Sequence, residues 1–353
     1  KFLFASEIKA ILTDPEVDRK LDVQGTHNYL SFYYSTAPLT LFSNIKQLLP
    51  GHLLVVNKNG TTNLQCYWKP NFIAQQPNDR NKKDWLDEFD EKLKRSIQMQ
   101  LVSDVPFGAF LSGGLDSSSI AYYMKELISE VKTFSMGFNE NSFSELDDAQ
   151  LVANHLKIES FSETVIPNID ESLINKLVYH SEEPTADPSF IPTYFLSALT
   201  RKEVTMALSG DGADELLAGY ETYQANFFRK AYLSIPKIIR DTLIKNPISY
   251  LPVQHNKVSL DYKLKSFIAG SELSEDEAHM SWRMMFNEDF KQFLYADNFR
   301  EKTRTVPSFL SAQPYFSEAK GGALNRMLEV DTRFYLPNDM LVKVDRASMA
   351  HSL

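Results

Sequence analysis

The 353-residue chain is 43% hydrophobic and 24% charged, which is typical of a globular protein with room for two domains. Its net charge of −9 argues against a general binder of nucleic acid or of anionic membranes, because either partner needs a basic face. No apolar run reaches the roughly 18 residues of a membrane span, no signal peptide is apparent, and a single cysteine excludes an internal disulfide, which suits the cytoplasm.

The first 70 residues combine short strand and helix patterns with a hairpin. Residues 1–5 have the pattern of an apolar strand, 6–12 that of a short helix, and 28–34 that of an aromatic helical turn. Two strand-like runs, 53–56 and 61–67, flank Asn-Lys-Asn-Gly, which favours a β-hairpin.

A polar stretch at 71–82 is typical of a linker, and an amphipathic helix follows it. From there the pattern alternates between strands and helices. We expect strands at 105–111, 131–136, 160–165 and 204–208, and helices near 117–129, 145–156, 170–180 and 189–201. This alternation predicts an α/β fold with a doubly wound parallel sheet, and a ligand site at the carboxyl ends of its strands.

A glycine-rich turn, Ser-Gly-Gly-Leu-Asp-Ser at 112–117, joins the first of these strands to its helix. Free N–H groups, the helix dipole and the missing glycine side chains favour an anion at such a turn. Ser112 and Ser117 add hydroxyl donors. Asp116 makes electrostatic sense beside an anion only if a cation such as Mg²⁺ lies between them. The turn is not a Walker A loop, because no Gly-Lys-Ser/Thr follows at the required spacing.

A second glycine-rich turn, Ser-Gly-Asp-Gly-Ala-Asp-Glu at 209–215, follows the last predicted strand. It brings three acids, Asp211, Asp214 and Glu215, within five residues. Clustered carboxylates repel one another unless cations bind them, although the dipole of a helix start also tolerates acidic residues. The turn therefore indicates either a cation site or an acidic helix start.

Three other polar stretches are expected to begin helices. Residues 142–149 would cap the helix that follows, with their acids favoured by its dipole rather than by a metal. In the loop at 182–189, Asp187 and Pro188 form a turn and Ser189 is the expected N-cap, with a substrate-facing role for the loop left open. A capping box, Ser-Glu-Asp-Glu, predicts a helix at 276–286.

The two glycine-rich turns resemble those of the ATP pyrophosphatase family, and in particular of its glutamine-dependent asparagine synthetases. The second turn matches the motif of these enzymes closely, with Ala213 where glycine or serine is usual. Thr-Phe-Ser-Met-Gly-Phe at 133–138 resembles their adenine site, and 331–350 resembles the segment that they place over ATP. The chain is identified on these motifs as a member of that family.

The beginning of the chain resembles the end of the same family's glutaminase domain, at residues 4–10, 41–52 and 67–68. In the family an amino-terminal cysteine is the glutaminase nucleophile. Here the first residue is Lys1, and the only cysteine, Cys66, is interpreted as a packing residue. The chain also stops within a helical pattern, so we interpret it as a fragment. Because its first residue is not the cysteine nucleophile, we expect that it does not hydrolyse glutamine.

The resemblance implies the β-rich tail of an Ntn-type, class II glutamine amidotransferase domain at 1–70, a linker at 71–82, and a truncated synthetase domain of the adenine-nucleotide alpha-hydrolase fold at 83–353. It implies conversion of aspartate to asparagine through β-aspartyl-AMP, with ATP and Mg²⁺ as cofactors and with ammonia from glutamine. Neither nucleic acid nor a membrane is expected as a partner, and a homodimer is left open. Two alternatives also stay open: an amidotransferase or β-lactam synthetase-like enzyme acting on another carboxylate, and a nucleotide-binding module without turnover.

The resemblance also implies roles for individual residues. Asp116 and Asp214 would hold the metal. Asp211 would steer the incoming nitrogen or take a proton from it, and Lys343 or else Arg346 would stabilise charge on the phosphate. The residues expected to bind ATP and its pyrophosphate are Leu111, Ser112, Gly113, Gly114, Asp116, Ser117, Met136, Ser209 and Gly210.

Overall fold

The structure is a computed structural model that describes residues 1–72, 80–139, 144–165, 169–253 and 259–353. The expected linker and the expected cap at 142–149 therefore lie partly outside the described residues. By its contacts the chain forms two compact units, which we call the helical unit (1–74, 181–187 and 214–341) and the sheet unit (75–180, 188–213 and 342–353). This division rests on contacts, whereas the predicted domains rest on family resemblance and stay a prediction.

The strands of the described residues fall into a hairpin and a four-stranded sheet. They are β1 (His52–Val56), β2 (Thr62–Cys66), β3 (Phe107–Phe110), β4 (Lys132–Gly137), β5 (Glu159–Thr164) and β6 (Met206–Leu208). The strand predicted at 1–5 is wrong: these residues are exposed and lie outside every described strand. A run of apolar residues makes a strand only where a partner strand satisfies its backbone groups.

Helices make up most of the remaining described residues. In chain order they are α1 (Ile8–Ile11), α2 (Val23–Phe32), α3 (Lys82–Gln100), α4 (Leu115–Leu127), α5 (Leu146–Leu156), α6 (Glu171–Ser181), α7 (Phe190–Arg201), α8 (Ala213–Leu217), α9 (Glu221–Ser234), α10 (Lys237–Ile239), α11 (Asn246–Ser249), α12 (Leu260–Ser271), α13 (Glu275–Ser281), α14 (Glu288–Leu294), α15 (Asp297–Thr303), α16 (Gln313–Glu318), α17 (Ala323–Val330) and α18 (Leu341–Met349). Arg240–Lys245 and Asp331–Met340 are π-helical, and Ser308–Ser311 is a 3₁₀ turn. None of the helices in the described part of the chain has the length and hydropathy that crossing a membrane requires.

Two helices differ in length from their predictions. The predicted capping box does start α13, but this helix ends at Ser281 instead of reaching residue 286. In contrast, α2 begins well before the aromatic turn predicted at 28–34, because the Asp22 carboxylate accepts a hydrogen bond from the backbone N–H of Gly25 and caps the helix there.

The sheet unit contains the parallel sheet, in the order β5-β4-β3-β6. The chain adds β4 and β5 on one side of β3 and then returns to add β6 on its other side. Because crossovers between parallel strands are right-handed, α4 and α5 cover one face of the sheet and α7 covers the other. The expected doubly wound α/β fold is thereby confirmed, and the order of its strands reverses between β3 and β6.

The helical unit is built around a buried aromatic core that includes Phe32, Tyr34 and Phe334. Its hairpin pairs β1 and β2 in antiparallel register from His52 and Cys66 to Val56 and Thr62. All of β2 is exposed, so the interpretation of Cys66 as a packing residue is wrong. Apolar patterning identified the hairpin but did not indicate that its strands are largely exposed.

Candidate nucleotide site

The first glycine-rich turn is held against the sheet where β3 ends. The backbone N–H of Leu111 donates to the Phe134 carbonyl at 2.9 Å, and the Leu111 carbonyl accepts from Ser135 Oγ at 2.7 Å. The Leu111 side chain is buried in the core between the sheet and α4. Leu111 therefore fixes the direction in which the chain leaves the strand.

Hydrogen bonds within the turn organise its polar atoms. The buried Ser117 Oγ accepts from the Ser112 N–H at 3.2 Å and lies 3.0 Å from Ser112 Oγ. Gly114 is the N-cap of α4, and no side chain of the described residues caps this helix. The first N–H groups of α4 are therefore left for a ligand, and their partial positive charge favours an anion.

Close approach of other elements requires glycine at position 113 and favours it at position 210. A Cβ on Gly113, whose φ is +82°, would lie 2.5 Å from Asp148 Cβ at the start of α5. A Cβ on Gly210 would lie 3.0 Å from the Ser117 nitrogen and 3.1 Å from Asp116 Cβ. The second glycine-rich turn thus packs directly on the beginning of α4. The two turns meet at the carboxyl ends of β3 and β6, where the strand order reverses and ligands of such sheets bind.

The two carboxylates predicted to hold a metal occupy similar places in two helices. Asp116 is in the first turn of α4 and partly exposed, and Asp214 is in the first turn of α8, within the helical unit. No group of three or more metal-ligating side chains occurs among the described residues. Mg²⁺ is commonly held by one or two carboxylates together with phosphate oxygens, so a partly exposed Asp116 beside an anion site fits this ion. The pairing of Asp116 with Asp214 stays a prediction.

The other residues predicted on the sheet unit lie at strand ends. Met136 is the penultimate residue of β4 and is partly buried. Ser209 and Gly210 directly follow β6, and Asp211 is exposed in the turn after them. Their roles toward ATP and ammonia stay predictions.

The predicted cations lie on α18. Lys343 is only 7% exposed, and its Nζ donates a hydrogen bond to Ser189 Oγ at 2.9 Å. Arg346, three residues later on the same helix, has its Nε 3.8 Å from Asp345 Oδ2. Ser189 does not act as the predicted side-chain cap: it immediately precedes α7, but its side chain makes no capping hydrogen bond.

Comparison with known proteins identifies the family. A family model described as asparagine synthase matches residues 88–353, and one described as glutamine amidotransferase domain matches residues 1–68. The chain belongs to the asparagine synthase family. The resemblance seen in the sequence motifs is thereby confirmed.

Curated relatives of this asparagine synthase family member share about a third of its residues or fewer. Glutamine-hydrolysing asparagine synthetase 1 of Bacillus subtilis is 32% identical over 356 residues, which cover 99% of this chain and 53% of the relative. Glutamine-hydrolysing asparagine synthetase 3 of the same organism is 29% identical over 62% of this chain and 38% of the relative. A Penicillium rubens protein named amidase chyE is 26% identical over 56% of this chain and 32% of the relative. The chain therefore spans about half the length of the first of these relatives.

A buried ionic cluster in the helical unit was not predicted from the sequence. Arg283 Nη2 donates to Asp331 Oδ2 at 2.7 Å, Tyr223 donates its hydroxyl to the same oxygen at 2.6 Å, and His279 Nε2 lies 3.0 Å from Asp331 Oδ1. Burial alone would raise the pKa of Asp331, but Arg283 and His279 outweigh it and hold the pKa below its usual range. Asp331 belongs to a segment that resembles the asparagine synthase family, whereas its partners lie 48 to 108 residues away in stretches without a motif.

Glu215 differs from the other two acids of its turn. It is fully buried, whereas Asp211 is exposed and Asp214 is partly exposed. The hydroxyl of Tyr220 donates to Glu215 Oε1 at 2.9 Å, and burial raises the pKa of the Glu215 carboxyl. The three carboxylates predicted as a cluster therefore have different environments, and Glu215 is best explained as an internal anchor of α8.

Proposed function

We propose that this chain carries the amide-forming half of an asparagine synthetase. It would convert aspartate, ATP and ammonia into asparagine, AMP and pyrophosphate. The observation that supports this most is the meeting of the two glycine-rich turns, where Gly210 packs on Ser117 and Asp116. Such a junction offers backbone donors from two loops to one polyphosphate.

ATP would lie along the carboxyl edge of the sheet. Its pyrophosphate portion would bind the turn from Leu111 to Ser117, with Ser209 and Gly210 as the second wall and the adenine near Met136. Asp116 and Asp214 would hold Mg²⁺. When bound, this ion neutralises charge on the phosphate oxygens.

In the first step a β-carboxylate oxygen of aspartate would attack the α-phosphorus. A new P–O bond forms, and the bond from the α-phosphorus to the bridging oxygen breaks, with its electron pair leaving on pyrophosphate. Negative charge builds on the phosphate oxygens during this step, and a fixed cation stabilises it. Lys343 is our first candidate for this cation and Arg346 the second.

In the second step ammonia would attack the acyl carbon of β-aspartyl-AMP, and AMP would leave with the electrons of the acyl–oxygen bond. Asp211 would take the proton that the nitrogen releases. In the full-length protein, we propose that glutamine supplies the ammonia through the amidotransferase domain whose tail is at 1–70, joined by the linker at 71–82 to the synthetase domain at 83–353. We further propose a cytoplasmic location; a homodimer stays open.

The proposal is tested by following pyrophosphate release from ATP and Mg²⁺ with ammonium, with and without aspartate. Aspartate labelled with ¹⁸O in its β-carboxylate sharpens the test, because attack through that oxygen transfers one label to AMP. We expect aspartate-dependent release, asparagine as product and labelled AMP. Unlabelled AMP formed together with asparagine would contradict the acyl-adenylate route.

A second acceptor class deserves the same assay, because amidase chyE is among the relatives that this chain matches. Tight ATP binding without aspartate-dependent release would favour another carboxylate acceptor. Glutamate and short carboxylates as alternative acceptors would then identify the class. ATP binding without release for any of these acceptors would favour a nucleotide-binding module.

A further inference from the structure

We propose that Ser189 is a positioning residue for Lys343, an inference that rests on the proposed function for its catalytic consequence. The contact itself is direct, since Lys343 Nζ donates to Ser189 Oγ at 2.9 Å across 154 residues of sequence. Both residues belong to the sheet unit. Ser189 therefore joins the start of α7 to the helix that carries the candidate phosphate-binding cation.

Ser189 does not make the capping hydrogen bond that its place in the sequence predicts. An N-cap serine normally has extended backbone angles and accepts a hydrogen bond from the first turn, which stabilises the helix. Ser189 instead has φ −78° and ψ −6°, and its side chain makes no capping bond. Only its carbonyl serves the helix, by accepting from the Thr193 N–H at 3.1 Å and from Thr193 Oγ1 at 2.7 Å. The hydroxyl thus accepts a hydrogen bond from Lys343 and does not cap α7.

A fixed contact matters for a lysine that acts in catalysis. A long side chain loses rotamer entropy when it is held in one conformation, and catalysis requires that this cost be met before the reaction. Lys343 and Ala347 are the buried positions of α18 and lie one turn apart, so the stem of the lysine follows the buried side of the helix. The hydrogen bond to Ser189 at the end of that stem contributes to holding the ammonium group in one position.

The chemistry of the partner matters as well. A carboxylate at the position of Ser189 Oγ would place a negative charge of its own against the ammonium. A serine hydroxyl is neutral, so it accepts one N–H of the ammonium without adding a counter-charge. Ser189 therefore suits a lysine whose charge is needed by the transition state.

The test compares three variants in the pyrophosphate-release assay. Ser189→Ala removes the hydroxyl. We expect kcat to fall about tenfold while KM for ATP stays within about twofold, because a less well positioned ammonium stabilises the transition state less but affects the binding of ATP little. Ser189→Thr keeps a hydroxyl and should restore most of the turnover. The matched control is Ser197→Ala on the same helix. It removes a buried hydroxyl, which donates a hydrogen bond to the Thr193 carbonyl at 2.7 Å.

A second measurement does not depend on turnover. Acetylation of Lys343 by a water-soluble reagent, measured by peptide mass spectrometry, should increase severalfold in Ser189→Ala and stay at the wild-type level in Ser197→Ala. Wild-type kcat in Ser189→Ala would overturn the proposal, as would unchanged acetylation. If the wild-type protein releases no pyrophosphate with any acceptor, the proposed function fails, and acetylation alone then decides whether Ser189 positions Lys343.

Discussion

The glycine-rich turn at 112–117 and the ionic cluster around Asp331 differ in where their polar groups come from in the sequence. In the turn, backbone N–H groups and two serines that are five residues apart form the site. In the cluster, side chains from α9, from α13 and from the turn that follows α13 converge on one carboxylate that is fully buried. The turn is local in sequence and the cluster is not, which explains why sequence patterns indicate the turn but not the cluster.

The two regions also differ in whether their carboxylates are accessible to a ligand. Asp116 is partly exposed beside uncapped N–H groups, so its charge is accessible to a ligand. Asp331 is enclosed, and Arg283 stacks its guanidinium over the rings of Tyr220 and Tyr335, with its central carbon 4.6 and 4.4 Å from the ring centroids. A charge that is compensated inside the protein is not accessible to a ligand, and removing one partner of such a buried pair destabilises the fold. Substitutions in the two regions should therefore affect different properties.

The largest effect is expected for Asp116→Ala, which should reduce pyrophosphate release about a thousandfold while the protein stays folded. The loss would follow from removing a carboxylate that we propose holds the metal beside the phosphates. Asp147→Ala is the matched control, because it removes an exposed acid from the first turn of α5. Turnover that survives in Asp116→Ala would rule out the metal assignment.

Asp331→Asn should show the reverse pattern, with a loss of about 3 kcal/mol in the free energy of unfolding, measured with a chemical denaturant. Asparagine preserves the shape of the side chain but leaves the Arg283 charge buried without its counter-charge. Asp241→Asn is the control, because it breaks an exposed pair with Lys237 and should cost less than about 0.5 kcal/mol. Equal losses in the two variants would mean that the buried cluster does not stabilise the fold.

The pH dependence of this difference follows from the lowered pKa of Asp331. A carboxyl whose folded pKa lies below its usual value of 3.8 contributes stability that is fully present above that value and is lost as the pH falls through the folded pKa. The difference between wild type and Asp331→Asn should therefore be constant from neutral pH down to about pH 5 and become smaller below it. A difference that grows on acidification would contradict the lowered pKa.

The smallest effect is expected for Gly113→Ala, about 1–2 kcal/mol of stability together with weaker ATP binding. The alanine would adopt a positive φ, and its Cβ would collide with the start of α5. Gly60→Ala separates these two causes, because Gly60 has a similar φ of +84° but nothing within 4 Å of its added Cβ. If both variants lose the same stability, the close approach of the turn to α5 has no energetic consequence.

Much of the sheet unit was predictable because its signals are short-range. Strand–helix alternation located β3 to β6 within a few residues, and the spacing of glycines located both turns at strand ends. The length of α13 and the absence of a strand at 1–5 were not predictable, because they depend on which partners lie nearby. The exposure of Cys66 depended in the same way on the surroundings of its hairpin.

The family, the α/β class and the two turns follow from sequence patterns, because glycine, apolar periodicity and helix starts act over a few residues. The packing of Gly210 on Asp116, the bond from Lys343 to Ser189 in place of a cap on α7, and the pairing of Arg283 with Asp331 emerge from the three-dimensional fold. Each of these contacts joins residues more than 40 positions apart. The partner of a side chain is set by the path of the whole backbone, whereas the start of a helix is set by its immediate neighbours.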